Sequence, residues 1–164
     1  MRIVNPLRTF ADNAMKKPLW LRFKILTLMF RYKVKLVGTC QIDIKETDLK
    51  SVTFLVKNRR KVQNHIGSVH AATMALIAES ATGFVVGVNL PGDKLPLIKS
   101  MNLRYVKRAC GDMQATATLT DEQIQILKNE PKGDFMVAVK VTDESGDEPV
   151  VAQMHWAWVS KDKK

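Results

Sequence analysis

Residues 68–82, SVHAATMALIAESAT, contain no Gly or Pro and are rich in Ala, Leu and Met. That composition predicts a helix. Ala71, Ala72, Ala75, Ala78 and Ala81 stand beside Met74, Leu76 and Ile77, so this helix is apolar almost all round. Such a helix has to be covered on most of its sides. Its small residues let a sheet approach its axis closely. Gly83 is one place for it to end, and it can also run on towards Gly87. The cover must come from the rest of a 164-residue chain that is 46% apolar. That length suits one compact domain with a short extension. The composition excludes a disordered tail, a collagen-like chain and a disulfide scaffold.

Around the helix the period changes to two. Val34, Leu36, Gly38, Cys40, Ile42 and Ile44 alternate with Lys33, Lys35, Val37, Thr39, Gln41, Asp43 and Lys45, which predicts a long strand with one buried face. Val52, Phe54 and Val56 continue the pattern after a polar turn, so a hairpin is the economical reading. Residues 58–67, NRRKVQNHIG, form a polar loop. Beyond the helix come Met101, Leu103 and Tyr105, then Ala115, Ala117 and Leu119, then Phe135, Val137, Val139 and Val141, and finally Val150, Ala152, Met154, Trp156 and Trp158. Gly111 with Asp112, and Ser145-Gly146-Asp147, mark turns. Two strands, one buried helix and four more strands make an α+β domain, an antiparallel sheet curled around its helix.

The N-terminal part reads differently. Residues 5–32 predict helix, with Leu19, Phe23, Leu26 and Phe30 on one stripe and Pro18 in the first turn of a second helical piece. We divide the chain into a basic amphipathic helical extension, 1–32, and a domain, 33–161. Residues 1–35 hold nine of the 26 bases and only one acid, Asp12, so most of the +10 net charge belongs here. A nucleic-acid-binding domain spreads its bases over the folded face it uses, and no helix-turn-helix pattern precedes residue 33, so nucleic acid is not an expected partner. Trp20, Phe23 and Leu26 among bases also suit a helix lying in a membrane interface, so peripheral membrane contact through residues 1–32 is the alternative to simple packing on the domain. Residues 18–30 are too short to span a bilayer and no secretory h-region opens the sequence, so a cytoplasmic protein is expected. Cys40 and Cys110 lie in no metal-binding spacing, and no metal is expected.

One segment stands apart, QNHIGSVHAATMALIAES at 63–80. A polar loop with Asn64 and His65 leads through Gly67 to a helix start at about His70. The first N–H groups of a helix lack intrahelical partners, and with the helix dipole they favour developing negative charge. Glu79 is a lone acid in an apolar helix. A buried carboxylate is costly unless paired or protonated, so it has either a use or a partner such as Arg104 or Lys107. His70 and Glu79 are nine residues apart, roughly 13 Å along a helix and about half a turn round it. Acting on one carbonyl they would need a two-fold dimer, one subunit giving the helix start and the other Glu79.

Asn64, Gly67 and His70-Ala71-Ala72, followed by Glu79, resemble the hot-dog-fold acyl-CoA thioesterases of the phenylacetate-pathway type. More narrowly the chain is similar to the branch of that superfamily known as a domain of unknown function and linked to thioesterase activity. Leu103 to Asp112, LRYVKRACGD, is similar to that family's strand–turn–strand stretch. The resemblance implies a hot-dog fold over about 33–160, with some six antiparallel strands around one central helix. It implies that Asn64 helps hold substrate or the attacking water. It assigns the carbonyl-polarising N–H groups to the segment His70, Ala71 and Ala72, where the family has His-Gly-Gly, and the general base or nucleophile to Glu79. It implies a homodimer or dimer of dimers and no cofactor, coenzyme A being part of the substrate. Arg59, Arg60, Lys61, Arg104, Lys107 and Arg108 are candidate contacts for coenzyme A phosphates. The two alanines depart from the glycine pattern, which keeps a non-catalytic acyl-binding module open as the alternative. Met74, Phe84 and Met101 are candidates for setting the acyl pocket. His155 reads as a strand-face residue.

Overall fold

The computed structural model describes residues 4–161. Arg2, counted in the N-terminal charge, lies outside them. Two helices come first, α1 (Pro6–Met15) and α2 (Leu19–Lys33), with Pro18 as the N-cap of the second. A short helix α3 (Lys35–Cys40) follows, then strands β1 (Asp43–Thr47) and β2 (Ser51–Val56). After a single 3-10 turn comes α4 (Ala71–Asn89), then β3 (Lys94–Tyr105), β4 (Met113–Thr118), α5 (Asp121–Asn129), β5 (Gly133–Asp143) and β6 (Val150–Ser160). The six strands form one antiparallel sheet in the order β1-β2-β4-β5-β6-β3.

The long strand expected from residue 33 is absent, and its first part is helical. Val34 and Val37 continue the three- and four-residue spacing of Phe30, so a helical stripe also fits the alternation. Val37 is buried while Leu36 is exposed, the reverse of the strand reading. Gly38 permits the tight packing of α3, because a Cβ there would lie 2.7 Å from the Arg31 carbonyl oxygen. Gln41 adopts φ 52° to turn the chain into β1. The Arg31 guanidinium fixes that turn by donating to the Gln41 and Ile42 carbonyls and to Asp43, at 2.7, 2.9 and 2.7 Å.

The helix α4 passes both glycines and ends only at Leu90. Gly83 serves packing, since a Cβ there would sit 2.8 Å from the Trp156 ring of β6. The helix packs on β2, β3, β4, β5 and β6, and α1 and α3 lie against it too. Its length and composition would suit a membrane span, yet most of it is buried inside the domain. Phe84 of α4, Phe54 of β2 and Phe30 of α2 form an aromatic triad with centroids 5.3 to 6.0 Å apart. The N-terminal helices therefore share the core, with Ala11, Ala14, Leu26 and Phe30 all buried.

Two further elements differ from the sequence expectation. β3 begins at Lys94, well before Met101, and takes in Pro96 because it is an edge strand. α5 carries a full capping box between Thr120 and Gln123, with Asp121 and Glu122 in its first turn. Lys94 is buried, and its Nζ donates to the carbonyls of Leu127, Lys128 and Glu130 at the C-terminal end of α5, at 2.7, 3.3 and 2.6 Å.

Phe84→Ala should cost about 3–5 kcal/mol in a denaturant titration. Phe30→Ala should also lower stability while keeping a single transition by circular dichroism and fluorescence. Two separate transitions would show that the N-terminal helices fold apart from the sheet.

Candidate active site

The loop before α4 is built by side chains that bond to backbone. Asn64 closes it, its Oδ1 accepting from the Ile66 and Ser68 amides, each at 3.1 Å. Ser68 Oγ donates to the Ala109 carbonyl at 3.1 Å, and Arg108 donates to the Ile66 carbonyl at 3.1 Å. The Gly67 carbonyl accepts from Asn58 Nδ2 at 3.0 Å. An open cleft of about 330 Å³ lies between these segments, lined by Asn58, Gly67, Ser68, Arg108, Ala109, Cys110 and Gly111. Asn58 Oδ1 is buried without a hydrogen-bond partner among the described residues.

His70 is the N-cap of α4, and its Nδ1 accepts from the Ala72 amide at 3.0 Å. The proton of a neutral His70 ring then sits on Nε2. Tyr105, the last residue of β3, donates its hydroxyl to the Ala71 carbonyl at 2.9 Å. The peptide group joining Ala71 to Ala72 is thus held at both its carbonyl and its N–H. The preceding peptide differs. Its carbonyl, on His70, accepts from the Thr73 and Met74 amides at 2.9 and 3.0 Å. Its N–H, on Ala71, has no intramolecular partner among the described residues. Of the two alanine amides at the helix start, one is free to meet an oxyanion.

Glu79 lies on α4 about two turns further on. Its carboxylate is partly buried, and its hydrogen-bond partner is Ser80 Oγ at 3.2 Å. Neither Arg104 nor Lys107 pairs with it: Lys107 is bonded to Asp147 at 2.9 Å, and Arg104 has no ion pair among the described residues. Loss of hydration on burial pushes the Glu79 carboxyl up from its ordinary value, and the Ser80 bond only partly opposes this. The Gly83 notch lies one turn on, with Trp156 pressed into it and a Glu79 oxygen 3.8 Å from the empty Cβ position.

The structure thus brings Asn64, Gly67, His70, Ala71, Ala72 and Arg108 together at one end of α4 and leaves Glu79 apart along the same helix. The candidate phosphate contacts divide by whether they already have a partner. Arg59 is bonded to the Gln41 side chain and carbonyl, Lys107 to Asp147, and Arg108 to the loop. Arg60, Lys61 and Arg104 are exposed and without an ion pair among the described residues. Among the described residues, His, Cys, Asp and Glu form no group of three that could hold a metal ion. Sequence reasoning missed the bond from Tyr105 to Ala71, because an alternating strand pattern says nothing of where a terminal hydroxyl reaches.

No curated protein is similar enough to the chain to count as a match. Solved structures share its fold. A Pseudomonas aeruginosa protein of unknown function, named a probable thioesterase, superposes with a TM-score of 0.76 at 22% identity, covering 84% of this chain and 95% of that one. A Haemophilus influenzae thioesterase gives 0.66 at 12% identity over 86% of this chain and 92% of its own. A mutant thioesterase from Pseudomonas aeruginosa gives 0.66 at 13% identity, with coverage of 82% and 94%. The architecture they share is the hot-dog fold, an antiparallel sheet wrapped around one long helix. Residues 23–159 match the family described as Domain of unknown function (DUF4442), and the chain belongs to that family.

Proposed function

We propose that the protein hydrolyses the thioester of an acyl-CoA, or of a related acyl thioester, at a site completed between two copies of the chain. The observation that carries this reading is Glu79, a partly buried carboxylate with a raised pKa and no basic partner among the described residues. Such a group is a stronger base than an ordinary carboxylate and suits proton abstraction. Its separation from the free Ala71 amide favours two chains, one giving each group. The exposed edge strand β3 supports this, because Leu95, Leu97, Ile98 and Met101 are exposed along it and its outer backbone groups are open to a further strand.

In this mechanism Glu79 of one subunit takes a proton from water as the water oxygen attacks the thioester carbonyl carbon. The oxyanion that forms accepts from the Ala71 amide of the other subunit, at the positive end of α4. Collapse breaks the C–S bond, and the proton on Glu79 passes to the departing sulfur. The carboxylate can instead attack the carbonyl directly, breaking the C–S bond to give an anhydride. The coenzyme A thiolate released takes a proton from solvent, and water then opens the anhydride to the acid and free Glu79. Asn64 holds the loop that leads into the amide. Arg60, Lys61 and Arg104, exposed and without an ion pair among the described residues, are the bases left to meet coenzyme A phosphates. The second reading, an acyl-binding module without turnover, is favoured by the Ala72 amide, which is already spent on His70.

Free-thiol release from short, long and aromatic acyl-CoAs should be seen with wild type and should fall about 10²–10⁴-fold in Glu79→Ala. Binding by calorimetry with no release from any substrate would select the acyl-binding reading.

The shared site has its own test. Ala71→Pro removes the amide while suiting the first helical position, and the extended His70 backbone tolerates a following proline. Each variant alone should be inactive by about 10²-fold or more. A heterodimer of Ala71→Pro and Glu79→Ala chains should recover one working site. No recovery would place both groups within a single chain's site or remove one of them from it.

The acid limb of the activity profile should lie at higher pH than an ordinary carboxyl would give, since Glu79 must be ionised to act. Stability runs the other way. A raised carboxyl stabilises the folded chain below its unfolded value, and that contribution is lost as pH rises through the folded value. Glu79→Gln should therefore raise the thermal midpoint at neutral pH, and the gain should shrink as pH falls.

A further inference from the structure

Helix α2 is apolar on two sides, and the domain covers only one. Leu26 and Phe30 enter the core. On the outer side Trp20, Leu28 and Tyr32 are 67%, 66% and 69% exposed, with Leu19 and Leu36 beside them. Trp20, Lys24, Leu28 and Tyr32 follow one another at four-residue intervals on successive turns of α2, and Leu36 is exposed on α3 just beyond the break at Val34. Lysines accompany the aromatic rings. Lys24 Nζ lies 5.8 Å from the centre of the Trp20 ring, and Lys33 and Lys35 lie 5.8 and 4.5 Å from that of Tyr32.

The charge on this face is of one sign. No Asp or Glu occurs between Asp12 and Asp43. Those two are paired with Arg8 and Arg31, at 2.9 and 2.7 Å. Lys16, Lys17, Lys24, Lys33 and Lys35 have no ion pair among the described residues. An aromatic and leucine stripe set among uncompensated lysines matches the boundary between lipid headgroups and acyl chains, where Trp and Tyr rings settle and lysines reach phosphate. A second copy of the chain fits less well, because a two-fold contact would set these lysines against themselves. Nucleic acid would satisfy the lysines and leave Leu19, Leu28 and Leu36 in water.

We propose that the outer face of α2 and α3 docks the protein on an anionic lipid bilayer. Trp20, Leu28, Tyr32 and Leu36 enter the interface, and Lys17, Lys24, Lys33 and Lys35 contact the headgroups. Deleting the extension would not test this, since Leu26 and Phe30 are core residues. Point variants on the exposed face leave the core intact.

The test is co-sedimentation of the full chain with vesicles in which about one lipid in three is phosphatidylglycerol and the rest phosphatidylcholine, against pure phosphatidylcholine vesicles. The protein should partition onto the anionic vesicles and be released by salt. Combined Lys17→Gln, Lys24→Gln and Lys33→Gln should lower partition about a hundredfold, taking about fivefold per lysine. Leu28→Ser should lower it about tenfold. Phosphatidylglycerol with brominated acyl chains should quench Trp20, because Trp156 and Trp158 are buried. Sedimentation with neither vesicle, equal sedimentation with both, wild-type partition by the lysine variant, or no quenching would overturn the proposal. So would a change of oligomeric state in Leu28→Ser, seen by light scattering, which would assign the face to a second copy. Preferential binding of a short duplex DNA over the vesicles would assign it to nucleic acid.

Discussion

A helix without a polar face has to be covered on every side, and much of this architecture follows from covering α4. A flat sheet would cover one side of it. Here the strands from β2 to β3 curl around it, and Gly83 lets the β6 indole of Trp156 come close. Further cover comes from the N-terminal helices, joined to α4 through the Phe30–Phe84 contact. The extension is thus part of the packing as well as a carrier of charge. Burial of this kind is the dominant favourable term in folding, and it leaves a polar group on α4 little room unless its hydrogen bonds are met. Thr82 meets its own through the helix backbone and the Trp156 indole. Glu79 has a single hydroxyl.

The polar groups near the two ends of the proposed chemistry differ in freedom. At the helix start a histidine and a tyrosine fix one peptide group from both sides and leave its neighbour's N–H unused. Tyr105 belongs to the edge strand, so the position of that strand and the position of the helix start are tied by one hydrogen bond. Glu79 is held loosely by comparison, in an apolar wall that raises its proton affinity.

Much of this was legible in the residues. The apolar helix, its start at His70, the number of strands and the isolated acid followed from period, composition and the cost of burying charge. The failures have physical causes. Between Phe30 and Gln41 two periods fitted equally well, and Arg31 decided for helix by reaching carbonyls about ten residues away. At Gly83 an end and a continuation towards Gly87 both stayed open, because a missing side chain looks the same whether it frees the backbone or admits a tryptophan. Helix α5 was missed although Thr120 and Gln123 are spaced as a capping box. The fates of the basic residues were not legible at all. Whether Arg59 meets a ligand or Gln41 depends on contacts made across the fold, and no local pattern encodes them.

The edge strand β3 has a single neighbour in the sheet, β6, and their register pairs Lys94 with Ser160 and Tyr105 with Val150. Its buried anchor, Lys94, depends on carbonyls some thirty residues further along. During synthesis β3 therefore emerges long before β6, its one strand neighbour, and before the α5 carbonyls that hold Lys94. Its backbone waits for β6, and loop closure over such distances is slow. The same edge that offers a seat to a second copy is, for that interval, open to any strand it meets. Order of arrival, rather than depth of burial, sets how exposed this half of the sheet is while the chain is being made.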